Sequence, residues 1–344
     1  MANADLVAGV DLGGTSLLCV VANAKGKVLG EGSADTIRGK GPGPVVDQVV
    51  KALGDAAKAA GVAVRDLGAM GIGPAGAVQP GTGVVEVAPN LGWKNVPLAS
   101  LLRKKTGLST TVDNDVHVAL LGEHAYGAAK GAKSAVAIWV GTGIGGAIIL
   151  EDELWLGTRG SAGEIGHTVL VEGGPKCGCG RRGCAEALAS RTAMERDVRA
   201  AIKHGHKSHV PHIMKKHHKT RMTSSVIAHA LAKHDKVMKK VFAKAQGHIG
   251  DLAGNIINTL DPEIIVVGGG IAERFGDAFV APIRERARAR LLNTQDLDKV
   301  RVVPSSLGAY SGALGACVLA RKHLAAGIGA GVRMPGLRGT RTRR

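Results

Sequence analysis

Apolar residues along the chain fall into short runs separated by glycine-rich turns. The run Asp5–Leu12 leads through such a turn into a second run, Leu17–Ala22, and this pattern predicts strand, tight turn, strand. Backbone N–H groups of a glycine turn can approach a phosphate closely, and a carboxylate at the strand end, here Asp11, can orient Mg²⁺. A plain hairpin with a Gly-Gly turn explains the same residues. The turn consists of Gly13, Gly14 and Thr15.

The same pattern returns at Ala135–Leu150, where one apolar run leads through glycines into another. Each copy then continues through a polar turn into a further short run. The repetition predicts two related halves, whose two hairpins would grip the phosphates of a nucleoside triphosphate across a cleft. The second turn contains Gly141, Thr142, Gly143, Gly145 and Gly146.

A polar pair follows a short strand in the first half. The apolar spacing over Pro44–Ala60 predicts a helix that packs by one face, and Thr110–Asp113 reads as a strand. Asn114 and Asp115 follow at the end of that strand, just before another helical pattern, where α/β folds place ligands. Asp115 would suit a general base, although a helix cap explains an aspartate there equally well. The loop around Asn90 is a second segment that could reach into a cleft.

The second half contains a further glycine turn. Apolar spacing predicts helices over Ala185–Ile202 and Asp251–Leu260, and Glu263–Val267 reads as a strand. Glu186 lies in the first turn of the first of these helices, where the helix dipole alone favours an acid. The strand opens into glycines that could admit an adenosine moiety, although such glycines also serve packing. These glycines are Gly268, Gly269 and Gly270.

Three of the five cysteines lie close to one histidine in the segment from Gly163 to Glu186. Three thiolates and one imidazole make a complete shell for a closed, structural Zn²⁺ site. The alternative is a disulfide or a set of inert thiols, but two cysteines one residue apart bridge only with strain. Cys19 and Cys317 are expected to be buried small hydrophobes. The predicted zinc ligands are His167, Cys177, Cys179 and Cys184.

The composition is that of a globular protein with one large domain or two ordinary ones. Of the 344 residues, 45% are hydrophobic but only 2% are aromatic, so Val, Ile, Leu and Ala must build the core. The longest uncharged run, Ser134–Leu150, is shorter than the roughly 20 residues of a membrane span and is interrupted by glycines. No basic and apolar signal segment opens the chain, so we expect a cytoplasmic protein with no membrane partner.

The net charge of +17 is concentrated in two segments. Residues 203–221 contain six Lys or Arg and residues 321–344 contain seven, and neither segment contains an acid. A charge confined to an insert and a tail, with few aromatic residues to stack on bases, favours a solvated surface over nucleic-acid binding. Eight of the thirteen histidines lie within 203–234, which we interpret as a surface insert rather than a second metal site. The Gly/Arg-rich end over 327–344 is expected to be disordered.

Five motifs together resemble the ROK family, which comprises bacterial sugar kinases and sugar-responsive repressors. In chain order they are D-L-G-G-T, G-T-G-I-G-G, G-E-I-G-H, C-G-C-G-R-R-G-C-A-E and V-V-G-G-G. The resemblance extends from about Asp5 to Arg321, and Arg191–Lys207 is most similar to the ATP-dependent bacterial glucokinases. It implies an α/β fold of the two-domain, actin-like ATPase type (ribonuclease H-like) with an interdomain cleft.

The resemblance also implies domain boundaries. An N-terminal α/β domain would comprise residues 1–118 and 309–326. A C-terminal α/β domain, residues 119–308, would carry the zinc loop 163–186 and the His/Lys-rich insert 203–234. Homodimers or homotetramers are expected from the family.

The family's motifs assign roles to individual residues. Asp115 would be the catalytic base, and His167 would bind zinc through one ring nitrogen and the sugar through the other. The residues implied to bind the sugar are Asn90, Asn114, Asp115, Glu164, His167 and Glu186. Those implied to bind the nucleotide are Asp11, Gly13, Gly14 and Thr15 in the first phosphate motif, Gly141, Thr142, Gly143 and Gly145 in the second, and Gly268, Gly269 and Gly270 at the adenosine.

Two positions depart from the family pattern. His117 stands where the family usually has Asn, two residues after the implied base, and Ala147 stands where a third glycine is common. Neither departure removes a catalytic group, so both bear only on rate and sugar preference.

The resemblance implies transfer of the γ-phosphoryl group of ATP to a hexose, most simply to C6 of glucose, with Mg²⁺ on the phosphates and structural Zn²⁺ shaping the sugar pocket. The implied sugar contacts do not separate glucokinase from an N-acetylhexosamine (GlcNAc or ManNAc) kinase or a fructokinase, and polyphosphate could replace ATP. The non-enzymatic alternative is a sugar-sensing transcription repressor. Such repressors carry an N-terminal helix-turn-helix module, whereas the first phosphate strand here begins at about residue 5.

Overall fold

The computed structural model describes residues 5–327, so residues 328–344 of the predicted basic tail lie outside the described residues. The chain divides into two compact units. Unit 1 comprises the described residues up to Lys130, Leu156–Ala162 and the described residues from Ala309 onward. Unit 2 comprises Gly131–Trp155 and Gly163–Gly308.

Strands and helices of both units follow one another along the chain. The strands are β1 Val7–Leu12, β2 Ser16–Ala22, β3 Val28–Asp35, β4 Met70–Pro74, β5 Ala77–Gln79, β6 Val84–Ala88, β7 Trp93–Val96, β8 Thr110–Val112, β9 Ala135–Val140, β10 Ile144–Leu150, β11 Glu153–Leu154, β12 Ile264–Gly268 and β13 Arg301–Pro304. The helices are α1 Pro42–Ala59, α2 Leu98–Thr106, α3 Asp115–Tyr126, α4 Ala185–Ala189, α5 Arg191–Lys203, α6 Val210–Lys216, α7 Ser224–Ala232, α8 Lys236–Leu260, α9 Ala272–Phe275, α10 Asp277–Arg288 and α11 Ser311–Ala325.

The main sheets of the two units repeat one design. In unit 1 the strand order is β3-β2-β1-β4-β8, and in unit 2 it is β11-β10-β9-β12-β13. In each sheet three antiparallel strands are followed by two parallel ones. Both predicted glycine turns close the first hairpin of their sheet, with Leu12 paired to Leu17 and Val140 paired to Ile144. The mixed α/β fold with two related halves is therefore confirmed.

Helix α11 returns the end of the described chain to the first sheet. A Cβ at Gly71 would overlap the carbonyl oxygen of Ala316, so β4 and α11 touch backbone to backbone. The same is true of α3 and α11, because a Cβ at Gly315 would overlap the carbonyl oxygen of Val118. Helix α3 therefore belongs wholly to unit 1, which continues to Lys130 instead of ending at residue 118.

We expect Gly315→Ala to destabilise unit 1 by about 1–3 kcal/mol, because the added methyl group has no space against the α3 backbone. Gly54→Ala is the matched control, since nothing lies within 4 Å of a Cβ at this helical position of α1. It should be neutral or stabilise by about 0.5–1 kcal/mol, because alanine is the better helix former. Thermal unfolding of both variants beside the wild type measures the effect, and equal midpoints would contradict the tight packing.

The helices of unit 2 differ from their predicted lengths. The single helix predicted over Ala185–Ile202 is wrong, because Ser190 is extended and separates α4 from α5. The Ser190 hydroxyl accepts a hydrogen bond from the Ala193 N–H and so caps α5. Helix α8 begins far before the predicted Asp251, since Asp235 caps it through the Met238 N–H.

The His/Lys-rich insert, residues 203–234, contains the two short helices α6 and α7. Every lysine, arginine and histidine of this segment is exposed. Its apolar side chains lie in the core of unit 2, and the fully buried ones are Val210, Ile213, Met222, Val226, Ile227 and Ala230. No helix within residues 5–327 is long and apolar enough to cross a lipid bilayer.

Candidate functional site

The first glycine turn, between β1 and β2, is closed by hydrogen bonds to its own backbone. The Gly13 N–H donates to the carbonyl of Ser16 at 3.0 Å. Thr36 holds the turn from outside, because its hydroxyl donates to the Gly13 carbonyl at 2.9 Å and its N–H to the Thr15 carbonyl at 2.9 Å. The N–H of Gly14 lies at the partly exposed tip of a turn whose shape is fixed in advance.

Asp11 and Asn90 lie beside this turn within unit 1. A Cβ at Gly312, in the first turn of α11, would lie 2.6 Å from a carboxylate oxygen of Asp11. A Cβ at Gly14 would lie 2.8 Å from the Cβ of Asn90. The structure thus brings together the first phosphate motif and the loop of Asn90, which the sequence analysis had connected only through the family resemblance.

Asn114 is the N-cap of α3. Its side-chain oxygen accepts hydrogen bonds from the N–H groups of Val116 at 2.8 Å and His117 at 3.2 Å. Its side-chain amide donates to the Gly76 carbonyl at 3.0 Å. The Asn114 side chain also hydrogen-bonds to the Asp115 carboxylate, which lowers the pKa of that group. The capping role considered for Asp115 therefore falls mainly to Asn114.

Asp115 occupies the first position of α3 and accepts a hydrogen bond from the Val116 N–H at 3.0 Å. Burial raises the pKa of its carboxyl from the ordinary 3.8 to about 6, against the opposing effects of the Val116 N–H and the charge of His117. Part of the residue still reaches solvent. The result is a carboxylate that is ionised at neutral pH and more basic than an ordinary aspartate.

His117 is buried and pairs with Asp113. Its Nδ1 atom lies 2.7 Å from a carboxylate oxygen of Asp113, which also accepts a hydrogen bond from the Asn114 N–H at 2.7 Å. The departure from the family pattern therefore introduces an acid–imidazole pair on the same helical turn as Asp115. Sequence reasoning noted the histidine but not its partner, although the i, i+4 spacing of Asp113 and His117 was available.

The second glycine turn, between β9 and β10, is held by the start of α5. The Gly141 N–H donates to the Gly143 carbonyl at 2.9 Å, and the Arg191 N–H donates to the Gly141 carbonyl at 3.0 Å. The Thr192 hydroxyl donates to the Thr142 carbonyl at 2.7 Å. The Arg191 guanidinium donates to the Thr142 hydroxyl at 2.6 Å.

Arg191 and Thr192 contact this turn, and the sequence analysis did not identify them as site residues. A signal was present, because a cation in the first turn of a helix opposes the helix dipole and needs another reason to be there. The break at Ser190 hid that signal, since a continuous helix would place Arg191 in its interior.

The predicted metal ligands come together in unit 2. One ligand atom from each of His167, Cys177, Cys179 and Cys184 lies within 4.8 Å of every other. His167 Nδ1 is 3.6 Å from the Cys177 sulfur, and the sulfurs of Cys179 and Cys184 are 3.7 Å apart. A tetrahedral Zn²⁺ with Zn–S near 2.3 Å and Zn–N near 2.0–2.1 Å places its ligand atoms about 3.5–3.8 Å apart. The donor set and its spacing therefore fit such an ion.

Glu186 connects the cysteine cluster to the second glycine turn. One carboxylate oxygen accepts the N–H of Ile144 at 3.1 Å, and the other lies 3.6 Å from the Cys177 sulfur. A Cβ at Gly143 would overlap the Glu186 carboxylate, so a larger residue there would displace the Glu186 side chain. Glu164 is exposed and lies one turn before His167, whose N–H donates to the Glu164 carbonyl at 3.0 Å.

The third glycine turn follows β12. Gly268 packs under the ring of Trp139. Gly269 has a φ of +84°, and a Cβ there would collide with the backbone of Val140. Packing alone therefore explains these two glycines. A Cβ at Gly270 would meet only the Ser224 hydroxyl at 4.0 Å, so open space at this turn lies beside Gly270.

Comparison with known proteins shows the family of this chain. The sequence model of the ROK family matches residues 7–323. The glucokinase of Halalkalibacterium halodurans is 32% identical over 309 residues, which are 89% of this chain and 92% of that protein. The glucokinase of Thermotoga maritima is 31% identical over 317 residues, 92% of this chain and 97% of that protein. A crystal structure of a ROK family glucokinase from Streptomyces griseus in complex with glucose and AMPPNP is 30% identical and superposes with a TM-score of 0.78, covering 92% of this chain and 99% of that one.

Proposed function

This chain belongs to the ROK family and is a hexose kinase, and we propose that it transfers the γ-phosphoryl group of ATP to the C6 hydroxyl of glucose. The similarity to glucokinases extends over nine-tenths of the chain. The observation that carries the mechanism is the position of Asp115, a carboxylate with a raised pKa at the first position of α3, just after strand β8.

Asp115 is the proposed general base. A sugar hydroxyl becomes a better nucleophile as it loses its proton, and a carboxylate within hydrogen-bond reach can accept that proton as the phosphoryl group transfers. With a pKa of about 6, Asp115 is ionised at pH 7 yet binds a proton more readily than an ordinary aspartate. The bond that breaks joins the γ-phosphorus to the bridging oxygen, and the one that forms joins it to the sugar oxygen.

The two preformed glycine turns are the proposed phosphate contacts. Backbone N–H groups near Gly14 and Thr142 would neutralise phosphate charge without reorganising, because each turn is already fixed by its own hydrogen bonds. Asp11 would hold the Mg²⁺ of Mg·ATP or its waters. The open side of Gly270 is the proposed place for the adenosine.

The proposed sugar contacts use atoms that the fold leaves available. Asn114 presents its side-chain amide beside Asp115, and His167 turns Nδ1 toward the cysteine cluster, which leaves Nε2 for a sugar hydroxyl. Glu164, which precedes His167 in the chain, and Glu186, which follows Cys184, supply carboxylate acceptors. Asn90 adds a side-chain amide beside Gly14.

Zn²⁺ is the proposed occupant of the cysteine cluster. Three thiolates and one imidazole leave no coordination position for water, so a bound Zn²⁺ supplies structure and no chemistry. Cys177 and Cys184 would anchor the loop that presents Glu164, His167 and Glu186 to the sugar.

The identity of the sugar is tested by initial rates of ADP release from Mg·ATP with glucose, mannose, fructose, N-acetylglucosamine and N-acetylmannosamine. We expect the highest kcat/KM with glucose. A preference for an acetamido sugar or for fructose would replace the proposed substrate, while no turnover with any sugar would overturn the kinase assignment. A parallel assay with polyphosphate in place of ATP tests the donor.

We expect His117→Asn to move the acidic limb of the pH profile of kcat/KM upward. Activity requires ionised Asp115, so it falls as the pH drops through the Asp115 pKa of about 6. The charge of His117 lowers that pKa, and asparagine cannot, so the pKa should rise and activity should be lost at higher pH. Profiles from pH 5 to 9 measure the shift, with His323→Asn on α11 as the control. An unmoved limb would mean that His117 does not act on the base.

A further inference from the structure

The side chain of Arg191 ends at the second glycine turn. Its guanidinium donates to the Thr142 hydroxyl at 2.6 Å, while its own backbone N–H holds the Gly141 carbonyl at 3.0 Å. Helix α5 cannot swing away from the turn without breaking this backbone bond and the bond from the Thr192 hydroxyl to Thr142. The arginine is therefore fixed at both its backbone and its side chain.

The positive charge of Arg191 has no carboxylate partner among residues 5–327, where it forms no ion pair. The nearest acid in sequence is Glu195, and both of its carboxylate oxygens already accept hydrogen bonds. Glu195 binds the guanidinium of Arg199 at 2.7 Å, that of Arg221 at 3.2 Å and the Met222 N–H at 3.0 Å. Among the described residues, the Thr142 hydroxyl is thus the only side-chain hydrogen-bond partner of a guanidinium that has five N–H donors.

Arg191 is also partly withdrawn from water. Burial and the charge of Arg221 both lower the pKa of Arg191, and the charge of Glu195 opposes them only in part. Arg221 lies close because its guanidinium reaches the Thr192 hydroxyl at 3.4 Å while Glu195 holds it. The guanidinium groups of Arg191 and Arg221 therefore both lie near the second glycine turn, and Glu195 is the acid they share. A bound anion would offset the repulsion between these two positive charges.

We propose that Arg191 binds phosphate oxygens of the phosphoryl donor at the second glycine turn. This inference rests on the proposed function, since it takes ATP to be the donor. The planar guanidinium suits paired phosphate oxygens, and its free N–H groups can bind them while the bond to Thr142 persists. Arg221 adds positive charge through space and is itself positioned by Glu195.

The competing role for Arg191 is a structural clip that merely fastens α5 to the turn. Arg191→Gln removes the charge of this side chain, and Arg191→Lys keeps a charge on a different head group. Loosening of the turn would weaken ATP binding to a similar extent in Arg191→Gln and Arg191→Lys, since neither side chain reaches as far as arginine, whereas the lysine charge would partly restore a lost phosphate contact. Loss of a phosphate contact weakens only ligands that have phosphates.

Equilibrium binding of ATP, ADP and adenosine to the purified full chain tests the proposal by calorimetry. We expect Arg191→Gln to weaken ATP binding about 10- to 100-fold, as for loss of a charge-assisted hydrogen bond, and to change adenosine binding by less than about twofold. The ATP affinity of Arg191→Lys should fall between those of Arg191→Gln and the wild type. Arg288→Gln is the control, since Arg288 lies on α10 and its guanidinium is 3.8 Å from the exposed carboxylate of Asp298.

Steady-state kinetics add a second readout. We expect KM for Mg·ATP to rise in Arg191→Gln while KM for the sugar stays unchanged. Equal ATP affinity in Arg191→Gln and wild type, equal losses for ATP and adenosine, or no binding of ATP to the wild type would each overturn the proposal. If the wild type binds ATP but phosphorylates no hexose, the proposed function fails while the comparison of ATP with adenosine still decides the role of Arg191.

Discussion

Asp115→Asn is expected to lower kcat by about 10²- to 10⁴-fold, the range that a positioned general base supplies. Sugar affinity should stay within a few-fold of wild type, because asparagine keeps the size and one acceptor oxygen of the side chain. The fold should tolerate the change, since Asn114 caps α3 and the new side-chain oxygen can still accept the Val116 N–H.

The same substitution should stabilise the protein at neutral pH. The folded pKa of Asp115, about 6, lies above the ordinary 3.8, so the unfolded chain releases this proton first. Stability from this group is therefore full below pH 4 and is lost as the pH rises to about 6. Asparagine carries no charge and escapes that loss, so activity and stability should change in opposite directions.

The measurement combines kcat, sugar affinity by calorimetry and the thermal midpoint at pH 7. Asp55→Asn is the matched control, since Asp55 is an exposed aspartate of α1 that forms an ion pair with Lys51. It should leave all three quantities nearly unchanged. A fully active Asp115→Asn enzyme would remove Asp115 from the role of base, whatever its stability.

Cys184→Ser should abolish stoichiometric zinc binding and raise KM for the sugar. Cys184 is fully buried, and its backbone pairs with that of Val169 in an isolated antiparallel β-bridge, so the backbone that carries this ligand is held in place. Loss of an outer-shell partner alone costs about 10–100-fold in metal affinity, and loss of a ligand atom should cost more. The loop that presents Glu164 and His167 would then lose its anchor, and the thermal midpoint should fall.

Zinc content by mass spectrometry, the KM for glucose and thermal unfolding measure these effects together. We expect about one zinc per wild-type chain and almost none in Cys184→Ser. Cys19→Ala is the control, because Cys19 is a buried thiol of β2 outside the cluster and should leave zinc content unchanged. A wild-type protein that is folded, active and free of zinc would contradict the structural role of the metal.

Local sequence patterns predicted the parts of the fold that local geometry determines. Each glycine turn lies between two apolar runs, and a hairpin needs only those neighbours to form, so β1–β2 and β9–β10 were predicted correctly. The spacing of His167, Cys177, Cys179 and Cys184 predicted their convergence for the same reason, since all four lie in one loop segment.

Tertiary packing decided what the sequence did not reveal. Ala185–Ile202 has a continuous helical pattern, and only the cap that Ser190 gives to the Ala193 N–H separates α4 from α5. The place of α3 in unit 1 depends on its contact with α11, nearly two hundred residues away, through two facing glycines, Gly122 and Gly315. Such long-range contacts leave no periodic signal in the sequence.

The candidate site divides in the same way. Residue types at strand ends and glycine turns, together with the family resemblance, indicated Asp11, Asp115 and Thr142. The contacts of His117 with Asp113 and of Arg191 with Thr142 required the structure, because one partner in each pair has no motif of its own. Both contacts now carry specific predictions.

The central claim, phosphorylation of glucose by ATP, is tested most directly by identifying the product. The purified protein is incubated with Mg·ATP and glucose labelled with ¹³C at C6, and the mixture is followed by ³¹P and ¹³C NMR. The account predicts ADP and glucose 6-phosphate in equal amounts, with phosphorus coupled to the labelled carbon. ADP and free phosphate without a phosphorylated sugar, or unchanged ATP in a folded and zinc-loaded sample, would contradict it.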